Sequence, residues 1–243
     1  MPSQNKSKID KTHYVECDDC SMNSVCQPVA TAKQSINLSA SYLQKKISAK
    51  TNQVLFQQAS PLTDIYAVTS GLFKLCQQTD NDDKNIIGLR FPGELIGEDA
   101  LYLKTYNYTA IAVGDSSVCK VAVEQMTSCA KLVPEVQQNF IELLSRQSYV
   151  RQRNFQAYIG KKSADSLLAA FLLNIIERNV DYTGNDDFIE LPLSRNDIAN
   201  FLGLRRETLS RVFSKFQKEQ LIQVESKKIQ LLEQNILFKL ADF

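Results

Sequence analysis

Three of the chain's six cysteines lie close together near the N-terminus, in the stretch ECDDCSMNSVC from Glu16 to Cys26. Two residues separate Cys17 from Cys20, and five separate Cys20 from Cys26. Clustered thiols of this kind have three common uses: a disulfide loop, a zinc site, or the ligands of an iron–sulfur cluster. The spacing of these three residues leaves all three uses open.

The composition of the chain bears on which of these three uses is favoured. The chain has 243 residues, is 44% hydrophobic, and carries 28 basic against 27 acidic residues, which is an ordinary globular profile. No apolar run approaches the roughly 20 residues needed to span a bilayer, and the first ten residues, MPSQNKSKID, lack the apolar stretch of a secretory signal. We therefore expect a cytoplasmic protein, in which thiols stay reduced and metal binding is favoured over a disulfide.

Catalytic chemistry finds little support. The sequence contains one histidine and no glycine-rich loop that would cradle a phosphate, so no nucleophile and base pairing is visible. We predict that the protein is not an enzyme.

A second set of candidate residues lies near the C-terminus, in the segment LSRNDIANFLGLRRETLSRVFSKFQKEQLI. Ser194 and Asp197 have the spacing of a capping box, Gly203 supplies a turn, and a second helix is expected from about residue 206 to 218. This layout is that of a helix-turn-helix, whose second helix reads bases in the major groove of DNA. Residues 194–228 carry eight Lys or Arg against four Asp or Glu, a weak sign of a surface that faces phosphates. The predicted DNA contacts are Arg195, Arg206, Glu207, Thr208, Ser210, Arg211 and, at the tip of a following β-hairpin wing, Lys227.

The rest of the chain must position these two sets of residues. From about residue 52 to 123, short β-prone runs separated by Gly, Pro, Asp and Asn predict an antiparallel barrel or jelly roll. The fold class is therefore α+β, with a cysteine-rich irregular leader (1–35), a β jelly roll (36–133), one long helix (134–161) and a C-terminal winged helix-turn-helix (162–243).

The long helix carries a heptad seam, whose members recur at steps of four and three residues. Such a stripe can pack against its own barrel or against a second copy, and polar residues within the seam favour the second copy because they fix register. We predict a homodimer through these seam residues: Val136, Phe140, Leu143, Gln147, Val150, Asn154 and Ala157.

A jelly roll, a long dimer helix and a winged helix-turn-helix, in that order, resemble the CRP/FNR superfamily of bacterial transcription regulators. The resemblance covers residues 15–235 and is strongest in LSRNDIANFLGLRRETLSRVFSKFQ, with support from FPGELIGEDAL and SGLFKL in the barrel. It implies a cyclic-nucleotide-binding-like domain, binding to double-stranded DNA, and contact with RNA polymerase near residues 81–90 and at Ser116–Ser117, which are expected at the surface.

Within that superfamily, the cysteine pattern is similar to that of FNR-type regulators. The similarity implies that Cys17, Cys20 and Cys26, together with Cys119, hold an oxygen-labile [4Fe–4S] cluster. Cys76 lies in an apolar strand pattern and Cys129 in an expected short helix, so both are expected to be buried structural residues, and either is the alternative fourth ligand if Cys119 is not one. Oxygen would destroy the cluster, separate the dimer and release a palindrome such as TTGAT–N4–ATCAA, so the protein would regulate anaerobic metabolism by activating or repressing genes. The E-x-x-S-R of Glu207, Ser210 and Arg211 matches this group, whereas Arg206 departs from it and leaves the outer bases of the half-site open.

The sequence also bears on other functions that a protein of this superfamily could have. The cyclic-AMP branch places Arg-Ser ten residues after Gly-Glu; here Gly97-Glu98 is followed by Tyr108-Thr109, so the arginine that would hold the phosphate is absent and no cyclic AMP is expected. A DNA-binding protein stapled by zinc, a nitric-oxide sensor and an electron-transfer subunit stay open as alternatives.

Overall fold

The structure, a computed structural model, describes residues 15–31, 44–79, 84–160, 163–183 and 189–241. Its first half is mostly strands and its second half mostly helices. In chain order the elements are α1 (Asn23–Thr31), β1 (Gln44–Ala49), β2 (Val54–Phe56), β3 (Asp64–Ser70), β4 (Phe73–Gln78), β5 (Lys84–Arg90), β6 (Leu95–Ile96), α2 (Ala100–Leu103), β7 (Thr109–Ala112), β8 (Ser116–Ala122), α3 (Val123–Leu132), α4 (Pro134–Gln156), α5 (Ala164–Thr183), β9 (Ile189–Glu190), α6 (Arg195–Leu202), α7 (Arg206–Lys218), β10 (Ile222–Glu225), β11 (Lys228–Leu231) and α8 (Gln234–Ala241).

Strands β1–β8 form the predicted jelly roll. One antiparallel sheet has the order β1-β8-β3-β6 and the other β2-β7-β4-β5. The side chains between the two sheets are apolar. They come from every second residue of a strand, as Tyr66 and Val68 of β3 and Phe73 and Leu75 of β4 do, and Val118 of β8 packs with them. The jelly-roll prediction is confirmed, although β1 lies before the residues from which strands were expected.

The outer face of the first sheet is covered by α1, α3 and α4. Met22, Val25 and Val29 on the α1 side pack into one apolar cluster with Cys119 and Val121 of β8. The prediction of an irregular leader is wrong for residues 23–31, which are helical; residues 1–14 and 32–35 lie outside the described residues. The reason is periodicity: positions 22, 25 and 29 repeat at three and four residues and bury one side of a helix.

The outer face of the second sheet is covered by α5 and the winged helix-turn-helix. Residues of α5 and α7 share an apolar cluster with Cys76, Ile86 and Leu89 of the barrel. Asn200 of α6 accepts a hydrogen bond from the Ile86 N–H at 2.6 Å and donates to the Lys84 carbonyl at 3.0 Å. The cysteine region and the helix-turn-helix therefore lie on opposite faces of one barrel.

The long helix does not expose the predicted seam. Within the single chain, Val136, Leu143, Gln147 and Ala157 are buried, and Phe140 packs beside them. Asn154 accepts a hydrogen bond from Asn174 of α5 at 3.1 Å, and Val150 is half-buried. Most of the predicted seam is therefore packed within the chain's own core. Its role between two copies stays a prediction, whereas the large apolar side chains that α4 exposes are Ile141, Tyr149 and Phe155.

A salt bridge joins the barrel to the first helix of the helix-turn-helix. Lys74 Nζ of β4 lies 2.6 Å from Asp197 Oδ1, and Asp197 also completes the predicted capping box with Ser194. Burial alone would raise the pKa of Asp197, but the hydrogen bonds from Lys74 and Ser194 and the charge of Lys74 outweigh burial and lower it. A carboxylate whose folded pKa lies below its unfolded pKa contributes stability at neutral pH and loses that contribution as the pH falls through the folded value.

We expect Asp197→Ala to lower the free energy of unfolding by about 1–2 kcal/mol at pH 7, because it removes both the cap and the salt bridge. The deficit relative to wild type should shrink as the pH falls below about 4. Urea unfolding of both proteins between pH 3 and 7 measures it. Asn196→Ala, at the neighbouring exposed position, is the control and should lack this pH dependence; a deficit that is equal at both ends of the range would contradict the prediction.

Candidate functional site

Three of the predicted cysteine ligands share one pocket. Cys17, Cys20 and Cys26 line it, together with Met22 and Asn23 and other residues of the same segment. Cys17 is exposed and the other two are half-buried, while Cys119 lies in β8 beneath them and is buried. Within the described residues, no three His, Cys, Asp or Glu side chains are close enough together to hold a metal ion as they stand.

The electrostatics of the four thiols are nevertheless coupled. The pKa of Cys26 is raised to about 12, first by burial and then by the charges of Cys119, Cys20 and Cys17. Burial likewise raises the pKa of Cys119 to about 12, with contributions from Cys20 and Cys17, whereas Lys46 across the strand pair lowers it. The thiols are therefore near enough to repel one another as thiolates. A cationic centre bound among them would reverse that repulsion, since metal binding holds thiolates deprotonated.

The other two cysteines serve the core. Cys76 and Cys129 are both buried, and burial raises the pKa of each thiol. Neither lines the pocket described above. The structure thus agrees with their predicted role as small buried apolar residues.

The cysteine helix α1 is attached directly to α4. Pro28 has no N–H, so the carbonyl of Ser24 lacks the helical partner that residue 28 would supply. Asn139 of α4 takes its place, donating from Nδ2 to the Ser24 carbonyl at 2.6 Å. Val25 and Val29 pack in the same cluster as Val136 and Leu143. Sequence analysis missed this contact, for which Pro28 inside an apolar three-and-four repeat was the available signal.

The helix-turn-helix has the predicted geometry. Helix α6 ends at Gly203, whose φ of 66° is left-handed, and α7 begins at Arg206. The apolar face of α7 is buried through Leu209, Val212, Phe213 and Phe216. On the side facing solvent, Arg206, Glu207 and Arg211 are exposed and Thr208 and Ser210 are half-buried. The N-terminal half of α7 therefore presents the donor and acceptor groups with which a recognition helix reads base edges.

Two other predicted DNA contacts, Lys227 and Arg195, differ in how far they are exposed to solvent. Lys227 is exposed in the turn between β10 and β11, the tip of the predicted wing. Arg195 instead lies with its guanidinium carbon 3.2 Å from the centre of the Phe213 ring, and burial lowers its pKa. In this position Arg195 joins α6 to α7, and its contact with DNA stays a prediction.

The surfaces expected to meet RNA polymerase are only partly exposed. Ser116 and Ser117 are buried, and Ser117 hydrogen-bonds Thr69 and Ser70 at 2.7 Å, so their expected position at the surface is wrong. The cause is that β8 is a central strand covered on both faces. Of residues 81–90, those from 84 onward form β5, part of which packs on the winged helix-turn-helix; residues 81–83 lie outside the described residues. Contact with RNA polymerase stays a prediction.

Comparison with known proteins agrees with this architecture. Residues 168–239 match the Crp-like helix-turn-helix domain, and residues 46–131 match the cyclic nucleotide-binding domain. The transcriptional activator protein FnrA of Stutzerimonas stutzeri is 30% identical over 96% of both chains. The chain belongs to the CRP/FNR family of DNA-binding transcription regulators.

Further relatives and structures agree with this membership. The transcriptional activator protein anr of Pseudomonas aeruginosa is 31% identical over 96% of both chains. The fumarate and nitrate reduction regulatory protein of Salmonella typhi is 30% identical over 93% of this chain and 90% of its own. The structure of FixK2 from Bradyrhizobium japonicum superposes with a TM-score of 0.70 at 22% identity, covering 82% of this chain and 97% of that one, and it supports the fold.

Family membership directs attention to the barrel position at which the cyclic-AMP branch binds its phosphate. Here Tyr108 accepts a hydrogen bond from the Gly97 N–H and donates to Asp99, both at 2.9 Å. The Glu98 carboxylate is bonded to Arg151 of α4 at 2.6 Å. Tyr108 and Glu98 are therefore each hydrogen-bonded within the protein. The expectation that cyclic AMP is not a ligand stays a prediction. No helix in the described part of the chain is both long and apolar enough to cross a membrane.

Proposed function

We propose that this CRP/FNR-family regulator holds a [4Fe–4S] cluster through Cys17, Cys20, Cys26 and Cys119, and that the intact cluster favours a dimer that binds a palindromic DNA site. Oxygen would destroy the cluster and release the DNA, so that genes of anaerobic metabolism are activated or repressed. The supporting observation is the position of the thiols: three line one pocket on the segment that packs against α4, and the fourth is fixed in the sheet beneath.

The four thiols suit the proposed cofactor in their chemistry. Thiolate sulfur is the usual ligand of iron–sulfur clusters, and a set of four cysteines is the usual number. When bound, the cluster supplies a centre that reacts with oxygen and whose loss is irreversible without repair. Asp18 and Gln27, which line the pocket beside the cysteines, lie where they would affect solvent access to it.

The chain's own residues provide a route from the cysteines to the DNA-binding domain. Helix α1 rests on the N-terminal half of α4 through the Asn139–Ser24 hydrogen bond and the cluster around Val136. The C-terminal half of α4 reaches α5 through Asn154 and Asn174, and α5 packs with the helix-turn-helix. A change in how α1 is held can therefore alter both the pairing of α4 and the placement of the recognition helix.

The proposed dimer uses the exposed side of α4. Ile141 and Phe155 are 60% and 67% exposed, and a step of 14 positions along the chain amounts to nearly four helical turns, so they lie on the same side. This side is opposite to Val136 and Leu143, which face the chain's own core. Two copies that pair through it would hold two recognition helices at a fixed separation for a two-fold site.

We expect the double substitution Ile141→Glu and Phe155→Glu to weaken self-association at least a hundredfold, since it places charges in an apolar contact. Sedimentation of the protein prepared without oxygen measures the dimer dissociation constant. Glu142→Gln, about 100° around the helix from Ile141, is the control and should dimerise normally. Unchanged association of the doubly substituted protein would remove this side of α4 from the interface.

The proposed function as a whole is tested on protein purified without oxygen. We expect a broad absorption near ~400 nm, about four irons and four sulfides per chain, and binding to the palindrome TTGAT–N4–ATCAA. Exposure to air should bleach the absorption and abolish DNA binding together. Colourless protein that contains zinc and binds DNA equally in air would overturn the oxygen sensor and leave a DNA-binding regulator.

A further inference from the structure

An ion pair between a buried carboxylate and a partly exposed guanidinium connects α4 to the barrel. Glu98 follows β6, and its side chain is 1% exposed. Its Oε1 accepts a hydrogen bond from Arg151 Nη1 at 2.6 Å, whereas Oε2 is buried and has no hydrogen-bond partner among the described residues. Taking a carboxylate out of water is costly unless cations compensate it, so this position depends on its partners.

Two guanidinium groups lie near this carboxylate, but only one comes from outside the barrel. Burial raises the pKa of Glu98, and the charges of Arg90 and Arg151 oppose that rise. Arg90 lies at the end of β5 and its guanidinium donates to the Leu95 and Leu89 carbonyls, so it is part of the barrel itself. Arg151 comes from the C-terminal half of α4 and so connects the helix to the barrel.

The turn that carries Glu98 has little freedom. Gly97 has a φ of 88°, and a Cβ at this position would come within 2.9 Å of Tyr106. The hydroxyl of Tyr108 bonds to Gly97 and Asp99, the two neighbours of Glu98. The carboxylate is therefore held at a fixed place in the barrel, and only a helix with residue 151 at that height can reach it.

We propose that Glu98 and Arg151 are positioning residues that fix the register of α4 on the barrel. The Asn139–Ser24 contact attaches the helix at one point, and Arg151 attaches it about 18 Å further along, twelve residues at 1.5 Å each. A buried charged pair is a weak source of net stability, and its best-attested use is to specify one arrangement among several. The pair contains none of the proposed cluster ligands. Its consequence for dimer pairing rests on the proposed function, whereas the register itself does not.

Hydrogen–deuterium exchange of the full chain, metal-free and dilute enough to be monomeric, tests the register directly. We expect Arg151→Gln to speed exchange at least tenfold in residues 145–156 while residues 134–143 keep the wild-type rate. Arg153→Gln is the matched control. Arg153 is two residues from Arg151 and forms an exposed salt bridge with Glu177, so its loss should leave exchange in both halves of α4 unchanged. Arg151→Lys keeps the charge and should restore most of the protection.

A second variant separates register from stability. The double substitution Glu98→Met and Arg151→Leu removes both charges of the pair, and Arg90 keeps its hydrogen bonds to the Leu89 and Leu95 carbonyls, so we expect a thermal midpoint near that of wild type. Exchange in residues 145–156 should nevertheless stay fast. Wild-type exchange in this double variant, or equal acceleration of both halves in Arg151→Gln, would overturn the proposal. Because no iron is present, these outcomes do not depend on whether the cysteines bind a cluster.

Discussion

Replacing Cys119 with alanine is expected to have the largest effect of any single substitution: protein purified without oxygen should be almost colourless and bind DNA at least a hundredfold more weakly. The other three proposed ligands lie on one short segment, whereas Cys119 belongs to β8, a central strand of the barrel. Without it, a centre held by the remaining thiols would have no attachment to the sheet. Iron should fall from about four atoms per chain to near zero.

Cys129→Ala is the matched control for that experiment. Cys129 is 1% exposed and lies in the same apolar cluster as Cys119, so both substitutions remove one buried thiol from one core. The losses of packing should be similar, and thermal unfolding of the metal-free proteins checks this. Iron and DNA binding should be lost in one protein and kept in the other.

The reverse outcome is informative. If Cys119→Ala keeps its iron and Cys129→Ala or Cys76→Ala loses it, the fourth ligand is one of the other buried thiols. If all three keep four irons, three protein thiols suffice and the proposed ligand set is wrong.

The helix-turn-helix could be predicted from sequence almost to the residue. Ser194 and Asp197 form the capping box, Gly203 adopts the left-handed turn, and α7 spans Arg206–Lys218 as expected. These features are local: caps and turns are decided by side chains within four residues of the backbone that they satisfy. Membership of the family and the jelly-roll fold were likewise predicted correctly.

The structure corrects the predictions for elements whose packing partners lie far away in the sequence. A three-and-four apolar repeat predicts a helix but does not say what covers it, and in α4 the stripe through Val136 and Leu143 is covered by α1 and the barrel. In α1, Pro28 is an unfavourable residue for a helix interior because it cannot donate to the Ser24 carbonyl. Asn139, more than 100 residues away, donates that hydrogen bond instead. The Glu98–Arg151 pair is hidden for the same reason, because two charges 53 residues apart carry no periodic signal.

Substituting Arg211 with alanine should remove base discrimination more than it removes binding. Arg211 is exposed on the outer face of α7, one residue after Ser210 and four after Glu207, where a recognition helix faces the major groove. An arginine in this position can donate two hydrogen bonds to a guanine, each good bidentate pair contributing about 1–3 kcal/mol of discrimination. The ratio of affinities for TTGAT–N4–ATCAA and for a site altered at that guanine should fall roughly 5- to 150-fold.

Lys227→Ala makes the comparison sharp, because it removes the same charge from the wing tip instead of from α7. A phosphate contact is blind to sequence, so this variant should weaken all sites equally and lower the slope of log affinity against log salt by about one. Fluorescence anisotropy with both sites at several salt concentrations measures the two effects together. If Arg211→Ala shows the pattern expected of Lys227→Ala, with an unchanged affinity ratio, Arg211 contacts the backbone. Reading of the central bases would then fall to Glu207 and Ser210, and Arg206 at the start of α7 becomes the residue to substitute next.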